Sequence, residues 1–221
     1  MHEEDVAEDI VEELPPKQKQ KLHAKYQALC ERDGYKKIHG FAQLARNLRD
    51  EYRTASGAST EPGFVWVDTC CINKESSAEL SEAVNSMYRW FHNAYLYIAF
   101  LGDVVGTEAD LHSDFGRSRW FTRDWTLQEL LAPGQVYFYN GTKTRGAAVI
   151  YKITGIHHDF LTKKASPIKA SIAIRMSWAA ARQTTRVEDE TYCLMGIFNV
   201  NMPVLYGEGK AAVFRLQQEI I

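Results

Sequence analysis

Apolar residues recur along this chain with two different periods. Between Tyr35 and Tyr52, Ile38, Phe41, Ala42, Ala45 and Leu48 return at three- and four-residue steps, while Lys36, Arg46, Arg49 and Asp50 face away. That spacing predicts an amphipathic helix. Phe64–Asp68 (FVWVD) is short, β-branched and aromatic, bounded by Gly63, and predicts a buried strand. The helical period returns over 78–94. Leu80, Ala83, Val84, Met87, Phe91 and Ala94 form the inward face, and Ser76 with Glu79 opens the helix as a capping box. Tyr95–Leu101 (YLYIAFL) is a continuous apolar run and predicts a central strand, closed by Gly102-Asp103. A short apolar helix over 122–132 ends at Pro133-Gly134, and 136–140 is a further buried strand.

Strand 64–68, helix 78–94, strand 95–101, helix 122–132 and strand 136–140 alternate as βαβαβ. The expected architecture is α/β, a parallel sheet flanked by helices. Val149–Ile153 reads equally as strand or helix. From Ser166 onward the pattern is helical. Ser166 is a cap and Pro167 takes the first helical position; Ile168, Ile172, Met176 and Ala179 line one face, and further helices run over 188–198 and 210–221. Residues 1–33 form a charged, loosely packed leader with a thin stripe at Leu22, Tyr26 and Leu29. Residues 34–221 are the folded domain, its α/β part over about 34–153 and its all-helical part over about 166–221. Loops are expected at 54–63, 104–117 and 140–147.

Composition adds exclusions. The net charge of −2, from 26 Lys and Arg against 28 Asp and Glu, gives no general attraction to nucleic acid or an anionic membrane. No apolar run is long enough to span a membrane, and no signal peptide is expected. Cys30, Cys70, Cys71 and Cys193 have neither CxxC nor Cys/His spacing, so no metal site is expected and the thiols are read as free in a cytoplasmic setting.

The densest candidate chemistry lies in Ser118–Tyr139, SRWFTRDWTLQELLAPGQVYFY. Glu129 stands among Leu127, Leu130 and Leu131, close after Arg117, Arg119 and Arg123. It is either paired with an arginine or solvated, or it is a site acid. The arginines precede a helix start, where they suit a phosphate or simply face water. In a parallel sheet, ligands gather beyond the carboxyl ends of the strands. Asp68, Gly102-Asp103 and the 117–123 loop are expected there. Asp68 either touches a ligand or caps a turn. Cys70 and Cys71 read as small buried thiols more readily than as nucleophiles, and His157-His158 as solvated. Arg182, Arg186, Glu188 and Asp189 either bind an anion or build a salt-bridged helix junction. Tyr206–Gly209 reads as a turn opening the last helix.

Three motifs carry a family resemblance: FVWVDTCCINKESSAELSEAVNSMYRWFHNA at 64–94, SRWFTRDWTLQELLAP at 118–133, and SWAAARQTTRVEDETYCLMGIFNVNMPVLYGEGKAAVFRLQQEI at 177–220. Together they resemble the fungal heterokaryon-incompatibility (HET) domain. The resemblance implies a cytosolic domain that triggers cell death after non-self recognition, self-association, and an upstream receptor with nucleotide-binding and repeat modules. Family members open with an apolar strand and a Ser-x-x-Trp-Gly motif. This chain opens at Met1-His2-Glu3-Glu4, so the family's first strand is expected to be missing.

A weaker similarity, in the order of strand, acidic loop, helix and a Leu-x-Glu-Leu helix, is to TIR domains. It implies a TIR/flavodoxin-like sheet and cleavage of NAD as substrate, with no further cofactor. Glu129 in Leu127-Gln128-Glu129-Leu130 takes the place of the catalytic glutamate, and Trp125 or Trp120 that of the tryptophan. The substrate contacts implied are Asp68, Arg117, Arg119, Arg123 and Trp125. The alternative is a non-enzymatic signalling module, or an inactive truncated relative.

Overall fold

The computed structural model describes residues 15–56, 64–104, 114–139, 143–144 and 147–221. The acidic stretch 1–14 lies outside them, as do residues 57–63, 105–113, 140–142 and 145–146 of the three expected loops. Contacts divide the chain into two units, Met1–Cys71 and Ile72–Ile221.

In the first unit, α1 (Pro16–Cys30) starts where Pro16 sets the backbone angle of the first turn. Its described side chains are exposed as far as Leu29; Leu22 and Tyr26 of the expected stripe lie outside the described side chains. Helix α2 (Asp33–Ser56) contains the predicted amphipathic segment. Phe41, Ala42, Ala45 and Leu48 are half-buried, and Ile38 stands at the margin of that stripe.

The strand expected at 64–68 is not formed. Phe64–Val67 has no regular structure, and Asp68 opens the one-turn helix α3 (Asp68–Cys71). The Val67 carbonyl accepts from both Cys70 N (3.0 Å) and Cys71 N (2.8 Å), so the backbone hydrogen bonds close locally. Phe64 is fully exposed, Val65 nearly half exposed. An apolar run becomes a strand only beside a partner edge, and none pairs with it among the described residues. Cys70 and Cys71 are exposed, contrary to the buried reading.

The second unit contains the sheet. Helix α4 (Ser77–Asn93) buries Ala83, Val84, Met87 and Phe91, close to the predicted face. Ser76 Oγ accepts from Glu79 N at 3.3 Å, but the Glu79 carboxylate turns to Asn73 N (2.8 Å), so only half of the capping box forms. Strand β1 (Tyr97–Phe100) pairs in parallel with β2 (Val136–Tyr139), with Tyr97 opposite Val136 and Phe100 opposite Tyr139. A two-residue strand, β3 (Lys143–Thr144), adds antiparallel to β2. The architecture is therefore α/β, helix-rich, and its sheet is smaller and more mixed than βαβαβ implied.

The helix expected at 122–132 is divided. One 3-10 turn covers Arg119–Thr122, and α5 covers only Thr126–Leu131. Between them the chain is extended and bridges to Gln183: Gln183 N donates to Thr122 O (2.6 Å), and Asp124 N donates to Gln183 O (3.1 Å). The ambiguous 149–153 segment is helical, within α6 (Ala147–Thr154).

Phe138 in β2 is the centre of an aromatic cluster. Phe115 and Trp120 meet it edge-on at 5.1 Å, and Phe121 stacks on it at 5.6 Å. These rings, with Leu101, Leu127, Leu131 and Ile156, form the core between sheet and helices. Trp120 is thus spent on packing.

After α7 (His158–Leu161), Pro167–Lys169 makes a 3-10 turn. Ala170 is extended, and Ser171 caps a new helix, α8 (Ile172–Ala179), accepting from Ile174 N at 3.3 Å. That break resets the helical phase. Ile168, Ile172 and Met176, expected inside, are exposed; Arg175 and Trp178 face the core instead. Arg175 donates to Ile197 O (3.1 Å) and lies 4.4 Å from the centre of the Phe198 ring. Helices α9 (Asp189–Tyr192), α10 (Met195–Phe198) and α11 (Ala211–Ile220) complete the chain.

Gly196 lets α10 lie against α4: a Cβ there would stand 2.1 Å from Tyr88 Cβ. Gly196→Ala is expected to lower unfolding free energy in urea by about 2–3 kcal/mol through overpacking. Gly134→Ala, which meets nothing within 4 Å, is expected to stay within about 0.5 kcal/mol of the parent.

Candidate functional site

Helix α5 has six residues, too few to be stable alone. Thr126, Leu127, Gln128, Leu130 and Leu131 are all buried, and only Glu129 is half-buried. A helix wrapped on nearly every side must satisfy its polar groups inside the protein. Gln128 Nε2 donates to Cys193 O at 2.6 Å. Lys163 Nζ donates to Leu130 O (3.1 Å) and Leu131 O (2.8 Å), closing the carboxyl end. Burial pulls that ammonium down to about 8.

Arg182 secures the opposite end. Its guanidinium donates to Arg123 O (2.8 Å), to Thr126 Oγ1 (2.6 Å) and, through Nε, to Trp178 O (3.2 Å). Burial pulls this guanidinium down to about 10, against the opposing pull of Cys193, Asp124 and Glu129. Arg182 is therefore a half-buried cation within electrostatic range of both acids of the segment.

Glu129 Oε2 accepts a hydrogen bond from the Tyr97 hydroxyl at 2.5 Å. Tyr97 is the first residue of β1, so this contact lies at the amino end of the strand. Arg119 is anchored at the other end. Asp103, three residues past β1, accepts from Arg119 N (2.7 Å) and Ser118 Oγ (2.8 Å), and the Arg119 guanidinium lies 3.6 Å from it. The Arg119 side chain is 87% exposed. A four-residue strand spans about 10 Å, which separates the two anchorages. Arg117 and Arg123 are also exposed, and Trp125 is half-buried against the core. Asp68 is exposed, on α3 of the first unit. Among the described residues no group of three or more His, Cys, Asp or Glu could hold a metal, and no helix is long and apolar enough to cross a membrane.

Residues 15–112 match the family described as Heterokaryon incompatibility protein (HET). The chain is also 44% identical, over 171 residues, to Vegetative incompatibility protein HET-E-1 of Podospora anserina. The chain belongs to the heterokaryon-incompatibility (HET) domain family. The aligned stretch is 71% of this chain and 12% of that relative. No solved structure matches it.

Within this HET domain, the contacts that fix α5 escaped the sequence reading. The sequence places Arg182 in an anion-binding or junction cluster with Arg186, Glu188 and Asp189, and gives no sign of its bonds to Arg123 and Thr126. Gln128 and Thr126 left one signal: polar side chains on a helix with no polar face. Of the cluster Arg182, Arg186, Glu188 and Asp189, the last three form a junction with 206–209, built from hydrogen bonds and a ring contact, while Arg182 turns to Arg123 and Thr126. Glu188 Oε1 accepts from Gly207 N (2.8 Å) and Gly209 N (3.0 Å), and Asp189 Oδ1 accepts from the Tyr206 hydroxyl (2.8 Å). Arg186 lies over the Tyr206 ring at 4.4 Å. The 206–209 turn therefore wraps a carboxylate, with positive φ at Gly207 (102°) and Gly209 (59°).

Asp124 is 3% exposed, and its Oδ2 has no hydrogen-bond partner among the described residues. Burial first, then Glu190 and Asp189, push its carboxyl up to about 6, while Arg182 pulls the other way. A raised carboxylate pKa means the folded state binds more protons than the unfolded state between about pH 4 and 6. The cost of this charge is therefore fully present above pH 6 and is relieved as pH falls below it. Asp124→Asn is expected to gain about 1–2 kcal/mol relative to the parent at pH 8, and to lose most of that advantage by pH 5. Urea unfolding at the two pH values checks the sign.

Proposed function

We propose that this HET domain is an effector of incompatibility and cell death, acting by hydrolysis of NAD at the nicotinamide–ribose bond, with Glu129 as the catalytic carboxylate. The observation that carries the reading is the Glu129 side chain itself. It is the half-buried acid on a helix otherwise buried, oriented by a phenol and near a half-buried arginine.

The chemistry asks little of the protein. The C1′–N bond breaks with its electron pair leaving on nicotinamide, which departs neutral from a cationic ring, so no general acid is required. Positive charge develops on the ribose, and a nearby carboxylate stabilises that oxocarbenium character. Water then adds at C1′ and gives up a proton, yielding ADP-ribose. In this reading the exposed Arg117, Arg119 and Arg123 hold the diphosphate, and Trp125 flanks the nicotinamide. An upstream receptor with nucleotide-binding modules would supply the trigger, in the cytoplasm.

A second reading, a non-enzymatic self-associating module, draws on the exposed Ile168, Ile172, Ile174 and Met176. One pair of experiments separates the two. Purified parent protein is expected to release nicotinamide from NAD, and Glu129→Gln to lower that rate about a hundredfold or more at unchanged stability. If neither protein consumes NAD when assembled, while Ile172→Glu abolishes both self-association and cell death, the module reading replaces the enzymatic one.

A further inference from the structure

We infer that Tyr97 is a positioning residue for the Glu129 carboxylate, holding it in one orientation and in its ionised form; as a statement about catalysis this rests on the hydrolase reading above. Three observations define the arrangement. The Tyr97 hydroxyl donates to Glu129 Oε2. Its ring meets Phe91 of α4 edge-on at 5.5 Å. Its backbone is bound into the sheet, with Tyr97 N donating to Gln135 O at 2.9 Å and the residue in register with Val136.

The phenol is therefore placed by strand pairing on one side and helix packing on the other. A hydroxyl held from two sides selects the carboxylate rotamer that meets it. Glu129 is an unbranched acid with three rotatable bonds on a short helix, and left alone it would sample several orientations. A carboxylate that must face one ribose in a forming oxocarbenium loses effectiveness with each wrong rotamer.

The hydrogen bond also acts on ionisation. Partial burial favours the neutral acid, whereas a donated hydrogen bond favours the carboxylate. Arg182, entering from the segment after α8, pulls in the same direction as Tyr97. His92 of α4 lies near the end of the same helix, with Nδ1 3.3 Å from Ala132 O. Tyr97 supplies a direct donor on a single carboxylate oxygen. The chemistry it serves needs the charged form, because a neutral acid cannot stabilise a cationic transition state.

Tyr97→Phe retains the ring and its packing and removes the donor. Two readouts are needed. The first is the titration of the Glu129 side-chain carboxyl by carbon-13 NMR, assigned by its absence in Glu129→Gln. In Tyr97→Phe its midpoint is expected to rise. The second is NAD turnover, where kcat is expected to fall about ten- to a hundredfold with little change in KM, and the acid limb of the pH profile to move to higher pH. An active parent whose Tyr97→Phe variant keeps the same kcat and acid limb overturns the inference. So does an unmoved Glu129 titration, whether or not the parent is active. A parent that leaves NAD intact overturns the hydrolase reading instead, and the carboxyl titration then decides Tyr97's role on its own.

Discussion

The guanidinium of Arg182, hydrogen-bonded to the turn that precedes α5, is the interaction on which the rest of the candidate site depends. Six residues cannot hold a helix against water by backbone hydrogen bonds alone. Here the helix is fixed from outside, by Arg182 at its start, Gln128 in its middle and Lys163 at its end. Each of these side chains is costly to bury and is stabilising only with its partner in place. Such contacts are satisfied in one register, which is how a short helix acquires a fixed direction. Glu129 inherits that direction, and Tyr97 completes it from the sheet.

The same region concentrates negative charge. Burial pushes the Cys193 thiol well above its ordinary range, and Asp124, Asp189 and Glu190 push it the same way. Arg182 is the group that offsets them. The neighbouring acids of the helical part avoid this cost by finding donors: Glu188 takes two glycine amides, and Glu208 pairs with Arg215 and accepts from Tyr192. Asp124, with one orphaned oxygen, is the exception. Where stability is given up in this way, the strain lies at the entrance to the helix that carries the candidate catalytic acid.

Parts of this architecture were legible in the sequence. The inward face of α4 follows from its period, and β1 and β2 follow from apolar runs bounded by turn residues. FVWVD misled because an apolar run states only a preference for burial; whether it becomes a strand depends on a partner edge that no local pattern encodes. Ile168, Ile172 and Met176 misled because their spacing was read as one continuous helix, and a single extended residue, Ala170, shifts the phase. The anchors of α5 were the least legible. Arg182 meets Arg123 and Thr126 across 59 and 56 positions of chain, and a polar contact of that range leaves no period behind. Glu129 itself was visible, as an acid in the wrong company, and its phenol partner was not.

Helix α5 keeps its shape because Arg182 holds the turn before it. Amide hydrogen exchange over Thr126–Leu131 distinguishes the parent from Arg182→Met. Protection in α5 is expected to fall sharply in the variant while α4 and β1 remain protected. Equal protection of α5 in both proteins would show that Arg182 does not fix the helix.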